Sequence, residues 1–297
     1  MDPLVEAVSK ITVPLVLERK PRGEKITCLT AYDYPTARLV DEAGIDLILV
    51  GDTLAEVVLG CESTLPVTVN EMLHHLRAVR RGVRRGLLIA DLPYGSYHVN
   101  DEQAVIASIR YVKEGGAEAV KLEGGRQRAV LIRRLVEAQV PVIGHVGLTP
   151  QSLHALGGHR VQGKTEESAT DIVADAEAVE DAGAFAVVLE GIPRELAKRI
   201  TQRLRIPTIG IGAGPDCDGQ VLVLHDLIGL SFRRPPKFVR PYANVGDLIR
   251  GAIRDFCSDV RDGRYPADSE SYHWPVSLRE RFEQRHAEGL IPTLPCK

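Results

Sequence analysis

No pair among the five cysteines, Cys28, Cys61, Cys217, Cys257 and Cys296, stands in a CxxC spacing. Their odd number and wide scatter argue against a disulfide framework and against a structural zinc site. A reducing cytoplasm fits such cysteines best. Nor is there an apolar run long enough to span a bilayer. The N-terminus carries Asp2 and Glu6 and only the proline-broken run ITVPLVL, which is not a signal peptide. Charge of one sign is also lacking. The net charge of −3 gives no general attraction for nucleic acid or an anionic membrane. An anionic small molecule would need local cations or a metal. Internal repeats and low-complexity tracts are absent. The glycine-rich IGIGAG at 209–214 is not a strand-to-helix GxGxxG unit with a ribose-binding acid downstream. Close packing at a crowded rim explains it better than a phosphate cradle. The basic cluster RRGVRR at 80–85 closes a helix, where it complements the dipole and aids solubility.

What the chain has is strand and helix in alternation. With 297 residues, 44% hydrophobic and 26% charged, it is an ordinary globular chain. Strand candidates are 26–32, 47–52, 86–93, 119–124, 140–148, 185–191, 207–214 and 221–230. Segments with apolar spacing near 3.6 separate most of them, among them NEMLHHLRAVRRG and TDIVADAEAVEDAG. Alternation of this kind implies parallel βαβ units, and the strand count points to a (β/α)8 TIM barrel. VLERK suggests a short helix before the first strand, and only PDCDGQ remains for a helix between the seventh and eighth. The barrel is expected over residues 1–265, ending in a long helix from NVGDLIRG. A polar tail of unassigned role follows at 266–297, with a short surface helix at SLRERFEQRHAEG.

Four of the strand candidates end on an acid: LILVGD at Asp52, LLIAD at Asp91, AVKLE at Glu123 and AVVLE at Glu190. In a closed parallel barrel the C-terminal strand ends converge on one rim, where catalytic residues gather. Singly, each acid can be a helix cap. Together they form a self-repelling cluster that a hard divalent metal with oxygen ligands relieves. Asp52 and Asp91, at neighbouring strand ends, are the leading ligands. Lys121 and Glu123 share one strand face, with Val120 and Leu122 free to face the helices. That pair is either a structural plug or a substrate cation beside a third ligand. His145, at another strand end, is either a satisfied core residue or a donor to a substrate oxygen. Glu190, flanked by Leu189 and Gly191, is a candidate general base through partial desolvation, or another cap. Glu123 is the rival base, with a carboxyl expected to be depressed by Lys121.

The motifs LTAYDYPTA, VGDTLAEVVLG, LLIADLPYGSY, AVKLEGG, GHVGLTPQS, VVLEGIP and IPTIGIGAGPDCDGQ occur in order along the chain. With them the sequence resembles the 3-methyl-2-oxobutanoate (ketopantoate) hydroxymethyltransferases from about residue 10 to about 266. The resemblance implies a barrel of the phosphoenolpyruvate/pyruvate type, with Mg²⁺ as cofactor and 5,10-methylenetetrahydrofolate as co-substrate. It implies conversion of 3-methyl-2-oxobutanoate (α-ketoisovalerate) to ketopantoate for pantothenate biosynthesis. The partners implied are a 2-oxo acid, a folate and further copies of the chain, commonly as a decamer, without nucleic acid or membrane. Position by position it assigns Asp52 and Asp91 to the metal and the chelated substrate, Glu123 to the metal and Lys121 to the substrate. His145 also binds substrate, and Glu190 accepts the proton. Thr53 stands where the family usually has serine; its hydroxyl can still reach a substrate carboxylate, and its methyl adds bulk. Two other readings remain open from the residues: a metal-dependent lyase acting on 2-oxo acid enolates without folate, and a catalytically silent barrel used as a scaffold.

Overall fold

A computed structural model describes residues 9–288. Asp2, Glu6, Cys296 and the last part of the expected tail lie outside the described residues. Eight parallel strands close into a barrel in sequence order, β1 pairing with both β2 and β8. They are β1 Ile26–Thr30, β2 Leu47–Val50, β3 Leu87–Asp91, β4 Ala119–Glu123, β5 Val142–Gly147, β6 Ala186–Glu190, β7 Thr208–Ile211 and β8 Gly219–Leu222. The helices that follow the first six strands in turn are α2 Tyr34–Glu42, then α3 Leu54–Val57 with α4 Val69–Gly82, α5 Asp101–Arg110, α6 Ala129–Glu137, α7 Leu153–Leu156 with α8 Glu166–Asp181, and α9 Arg194–Arg203. α1 Val13–Arg22 precedes β1, and α10 Leu224–Leu227 follows β8.

Helix boundaries follow local chemistry. α4 opens on a capping box in which Thr68 and Glu71 satisfy each other's backbone N–H groups. The side chains of Asp33 and Asn100 cap α2 and α5. α5 runs into a wider π turn at Tyr111–Gly115 rather than continuing as one regular helix. A Cβ on Gly115 would lie 2.3 Å from Leu76 Cδ2, so only glycine admits α4 at that approach.

Strand alternation divides the core in two. Ile26, Leu47, Leu49, Ile89, Ile143, Val188, Ile209 and Val221 fill the lumen. Val120, Leu122, Val187 and Leu189 face the helices. α1 belongs to the lumen side. Its Val16, fully buried, joins the inner cluster, while Arg19 grips Asp46 with two hydrogen bonds of 2.7 and 2.8 Å. Lys20 reaches Asp218 at 2.9 Å. Asp46 and Asp218 precede β2 and β8, so α1 covers the N-terminal mouth of the barrel.

Two expectations change. The apolar run from 221 to 230 is not one strand. β8 ends at Leu222, the chain turns at Val223, and the N–H of Leu224 donates to Thr30 Oγ1 at 3.0 Å as α10 begins. Periodicity cannot separate a buried strand from a short buried helix over such a run. The strand also starts earlier, at Gly219, where a Cβ would sit 2.5 Å from the Ile26 carbonyl oxygen, so glycine allows β1 and β8 to meet. No helix joins β7 to β8. Of the basic cluster at 80–85, Arg80 pairs with Glu118 and Arg85 with Asp46.

The chain forms two compact units, divided between Asn244 and Val245. The long helix expected to end the barrel, α11 Val245–Arg261, therefore belongs with the second unit. That unit also holds α12 Val276–Ala287, at the expected surface helix, and a Trp274–Phe282 ring pair 4.7 Å apart.

Gly144 ties packing to the lumen. A Cβ there would stand 2.3 Å from Val179 Cγ1 on α8. Gly144→Ala should destabilise the protein by about 1–3 kcal/mol through overpacking. Adding Val179→Ala should recover part of the loss in denaturant unfolding. Equal stability of Gly144→Ala and the parent would disprove the clash.

Candidate functional site

Parallel register brings the strand-end residues to one level. Asp91 pairs with Lys121, Glu123 with His145, and Gly147 with Glu190 across successive strands. Asp52 follows β2 by two residues, and its N–H donates to Asp91 Oδ2 at 3.2 Å. Asp52, Thr53, Asp91, Lys121, Glu123, His145 and Glu190 thus all line one lumen cavity of about 50 Å³. By that measure a single water needs roughly 10–15 Å³, so several fit. His145 lies inside β5 rather than at its end, and only 2% of it is exposed. Thr53, not Asp52, holds the cap position of α3, and it makes no side-chain cap there. The Asp52 carboxylate turns inward instead.

The electrostatics are lopsided. Four carboxyl groups, those of Asp52, Asp91, Glu123 and Glu190, share the cavity with one ammonium, Lys121. Lys121 Nζ contacts Asp91 Oδ1 at 2.5 Å, with both side chains under a tenth exposed. Burial alone would lower the Lys121 value, but Asp91, Glu123 and Asp52 together hold it above the ordinary lysine value. Asp52 is pushed up to about 7, first by burial and then by Asp91, against Lys121 and a hydrogen bond from Gln151. Glu123 is also held well above its ordinary value, by burial first and Asp52 second. The depressed carboxyl expected of Glu123 is therefore reversed: its neighbour Lys121 pulls it down, and burial outweighs that pull.

These features fit a cation. Among the described residues, no group of three or more His, Cys, Asp and Glu side chains forms a ready-made metal cage. Mg²⁺ does not need one, since it takes one or two carboxylates and fills its octahedron with water and substrate oxygens. Asp52 and Asp91 supply such oxygens, and Asp91 Oδ1 already meets one cation, the Lys121 ammonium. Neither ring nitrogen of His145 has a well-directed hydrogen bond, although Nε2 lies 3.2 Å from Glu190 Oε2 and Nδ1 3.7 Å from Glu123 Oε1.

Two site neighbours escaped the sequence reading. Gln151, in the turn after β5, donates its backbone N–H to Glu123 Oε2 at 3.0 Å and its side-chain amide to Asp52 Oδ2 at 2.8 Å. Tyr97, in the loop after β3, donates its hydroxyl to Gln151 Oε1 at 2.6 Å. Neither sits at a strand end or in a periodic segment. The polar TPQS following an apolar strand was the only trace of the first.

The model of the family described as ketopantoate hydroxymethyltransferase matches residues 10–268. The 3-methyl-2-oxobutanoate hydroxymethyltransferase of Koribacter versatilis is 60% identical over 275 residues, 93% of each chain. That of Syntrophus aciditrophicus is 53% identical over 263 residues, 89% of this chain and 97% of the relative. Among solved structures, a phosphonopyruvate hydrolase in complex with oxalate and Mg²⁺ aligns with a TM-score of 0.57 at 17% identity, covering 94% of this chain and 99% of that one. A 2,3-dimethylmalate lyase of the PEP mutase/isocitrate lyase superfamily aligns at 0.56 with 21% identity, covering 94% and 96%. The two structures share the expected eight-stranded barrel and at these identities show the fold alone. A family match over most of the chain, together with relatives above 50% identity, is decisive: the chain belongs to the ketopantoate hydroxymethyltransferase family and is a hydroxymethyltransferase.

Proposed function

We propose that the lumen cavity binds 3-methyl-2-oxobutanoate with Mg²⁺ and receives a one-carbon unit from 5,10-methylenetetrahydrofolate, giving ketopantoate for pantothenate biosynthesis. The observation that carries this reading is the gathering of Asp52, Asp91, Lys121, Glu123, His145 and Glu190 around one cavity in a chain of this family. Asp52 and Asp91 would hold the ion, with Glu123 as a further ligand, directly or through water. The bound ion polarises the 2-oxo acid carbonyl and so acidifies the neighbouring C3–H. The oxalate and Mg²⁺ in the phosphonopyruvate hydrolase support this, because oxalate has the adjacent oxygens of a 2-oxo acid enolate.

The chain's own groups do the rest. Glu190, with its side chain 16% exposed, accepts the C3 proton. Lys121 places positive charge beside the developing enolate. His145 donates to a substrate oxygen or orients Glu190. The Thr53 hydroxyl meets the substrate carboxylate. A bond forms between C3 and the one-carbon unit, both of its bonds to the folate nitrogens break, and water supplies the hydroxyl; the nitrogens take up the proton that left C3 and the one released by water, giving tetrahydrofolate. Assembly into a homo-oligomer, a decamer on the family pattern, belongs to the same proposal. No helix among the described residues is long and apolar enough to cross a membrane. The lyase alternative predicts 2-oxo acid cleavage without folate, so omitting folate separates the two.

Asp52→Asn and Asp91→Asn should each weaken Mg²⁺ binding by more than the roughly 10–100-fold typical of an outer-shell loss. Full activity of either at low Mg²⁺ would refute the ligand assignment. Asp52→Asn carries a second expectation. A carboxyl whose folded value lies above its unfolded one opposes folding as pH rises through that range. The metal-free variant should therefore melt higher than the parent at pH 8 and lose that advantage at pH 4. A lower melting temperature at pH 8 would show that Asp52 is structural.

Glu190→Gln should bind the oxo acid with similar affinity. It should exchange the C3 hydrogen with D₂O on the order of 10²–10⁴ times more slowly, read by NMR. Unchanged exchange there, with loss in Glu123→Gln at saturating metal, would move the base to Glu123. Thr53→Ser should keep the hydroxyl and change only the oxo-acid KM, by a few-fold at most. A collapse of kcat would mean that the methyl packs against a catalytic group.

A further inference from the structure

Gln151 is nearly inaccessible, at 5% exposure, yet it is a polar residue in a turn. Its backbone N–H, both amide protons and its amide oxygen are engaged near the site. The backbone N–H donates to Glu123 Oε2 at 3.0 Å. The side-chain nitrogen donates to Asp52 Oδ2 at 2.8 Å and to the Leu92 carbonyl at 3.0 Å. Its carbonyl oxygen accepts from the Tyr97 hydroxyl at 2.6 Å. Tyr97, 1% exposed, has only one proton to give, and its oxygen already accepts from the Glu123 backbone N–H at 3.2 Å. The phenol proton must therefore point at Gln151. That fixes which end of the amide faces Asp52. A flipped amide would set its oxygen against the Asp52 carboxylate and the Leu92 carbonyl, leaving acceptors without a proton between them. The Arg128 guanidinium lies 5.0 Å from the centre of the Tyr97 ring and helps hold the phenol in place.

We infer that Gln151, oriented by Tyr97, is a positioning residue that fixes Asp52 and Glu123 relative to each other and commits one Asp52 oxygen, leaving Oδ1 for the cation. This inference rests on the reading that the acids hold Mg²⁺. Gln151 does not line the cavity; it acts through the two carboxylates it bridges. One residue donating to two carboxylates from different strands sets their separation more rigidly than two independent donors would. Outer partners of this kind orient metal ligands, and their loss commonly costs on the order of 10–100-fold in metal affinity.

The test is calorimetric titration of Mg²⁺ into protein saturated with 3-methyl-2-oxobutanoate, without folate, so that no turnover occurs. Circular dichroism and melting temperature are followed in parallel. Gln151→Ala should bind Mg²⁺ about 10–100-fold more weakly. Tyr97→Phe, which removes only an oxygen, should weaken binding several-fold and keep the protein folded even if the alanine variant does not fold. Because Tyr97 orients Gln151, Tyr97→Phe should cost less affinity in the Gln151→Ala background than in the wild type; any remaining loss reports its separate bond with the Glu123 N–H. Gln151→Glu should not rescue, since it replaces the donor facing Asp52 with an acceptor. Wild-type protein that binds no Mg²⁺ overturns the functional reading and this role together. Wild-type protein that binds, alongside Gln151→Ala or Tyr97→Phe variants that bind equally well while melting lower, overturns only the positioning role.

Discussion

Lys121 and Asp91, in contact at 2.5 Å inside the barrel, set the terms on which the remaining acids can exist there. Burying a charge is costly unless it is paired, and a lumen walled by Leu49, Val188, Ile211 and Val221 offers little solvation. One ammonium cannot neutralise four carboxyl groups. Burial first, and the surplus of carboxyl groups second, raise Asp52 to about 7 and hold Glu123 well above its ordinary value. The apoprotein thus holds an electrostatic debt that its own residues leave open. On the proposed reading, a hard cation bound with an oxygen-rich substrate would relieve it. Complementarity to that ligand would then take precedence over the stability of the empty fold, a common trade at active sites.

The barrel makes this gathering possible because register, not sequence distance, decides height in the lumen. Asp91 and Lys121 are 30 residues apart in number but are paired across adjacent strands. Residues two apart on a strand point the same way. Lys121 and Glu123 therefore enter the cavity, while Val120 and Leu122 between and beside them seal the helix layer. Outside the sheet, Gly144 lets α8 lie close enough to support the strand that carries His145.

The acids ending apolar runs were legible because two physical signals coincide there. A run buried on both faces marks a parallel strand, and a charge at its end has no place in the core unless it faces a site. The same logic failed for the run at 221–230, since a short buried helix is as apolar as a buried strand. It failed again for the charge state of Glu123. A sequence shows that lysine is two residues away; it does not show how completely both are withdrawn from water. Gln151 and Tyr97 stayed invisible for a third reason. Their partners come from three separate loops and strands, and no local spacing encodes a hydrogen-bond circuit closed only in three dimensions.

α1 turns the barrel into a vessel with one door. With Val16 seated among the lumen side chains and Arg19 and Lys20 clasping the acids before β2 and β8, nothing passes through the floor. Whatever reaches the acids must come and go past the same rim. If the lumen takes two reactants as proposed, they share that passage and must queue: the one that sits deeper loads first, and its product leaves after the shallower has withdrawn. On that reading, a compulsory order of arrival and departure would follow from a ten-residue helix at the opposite end from the candidate site.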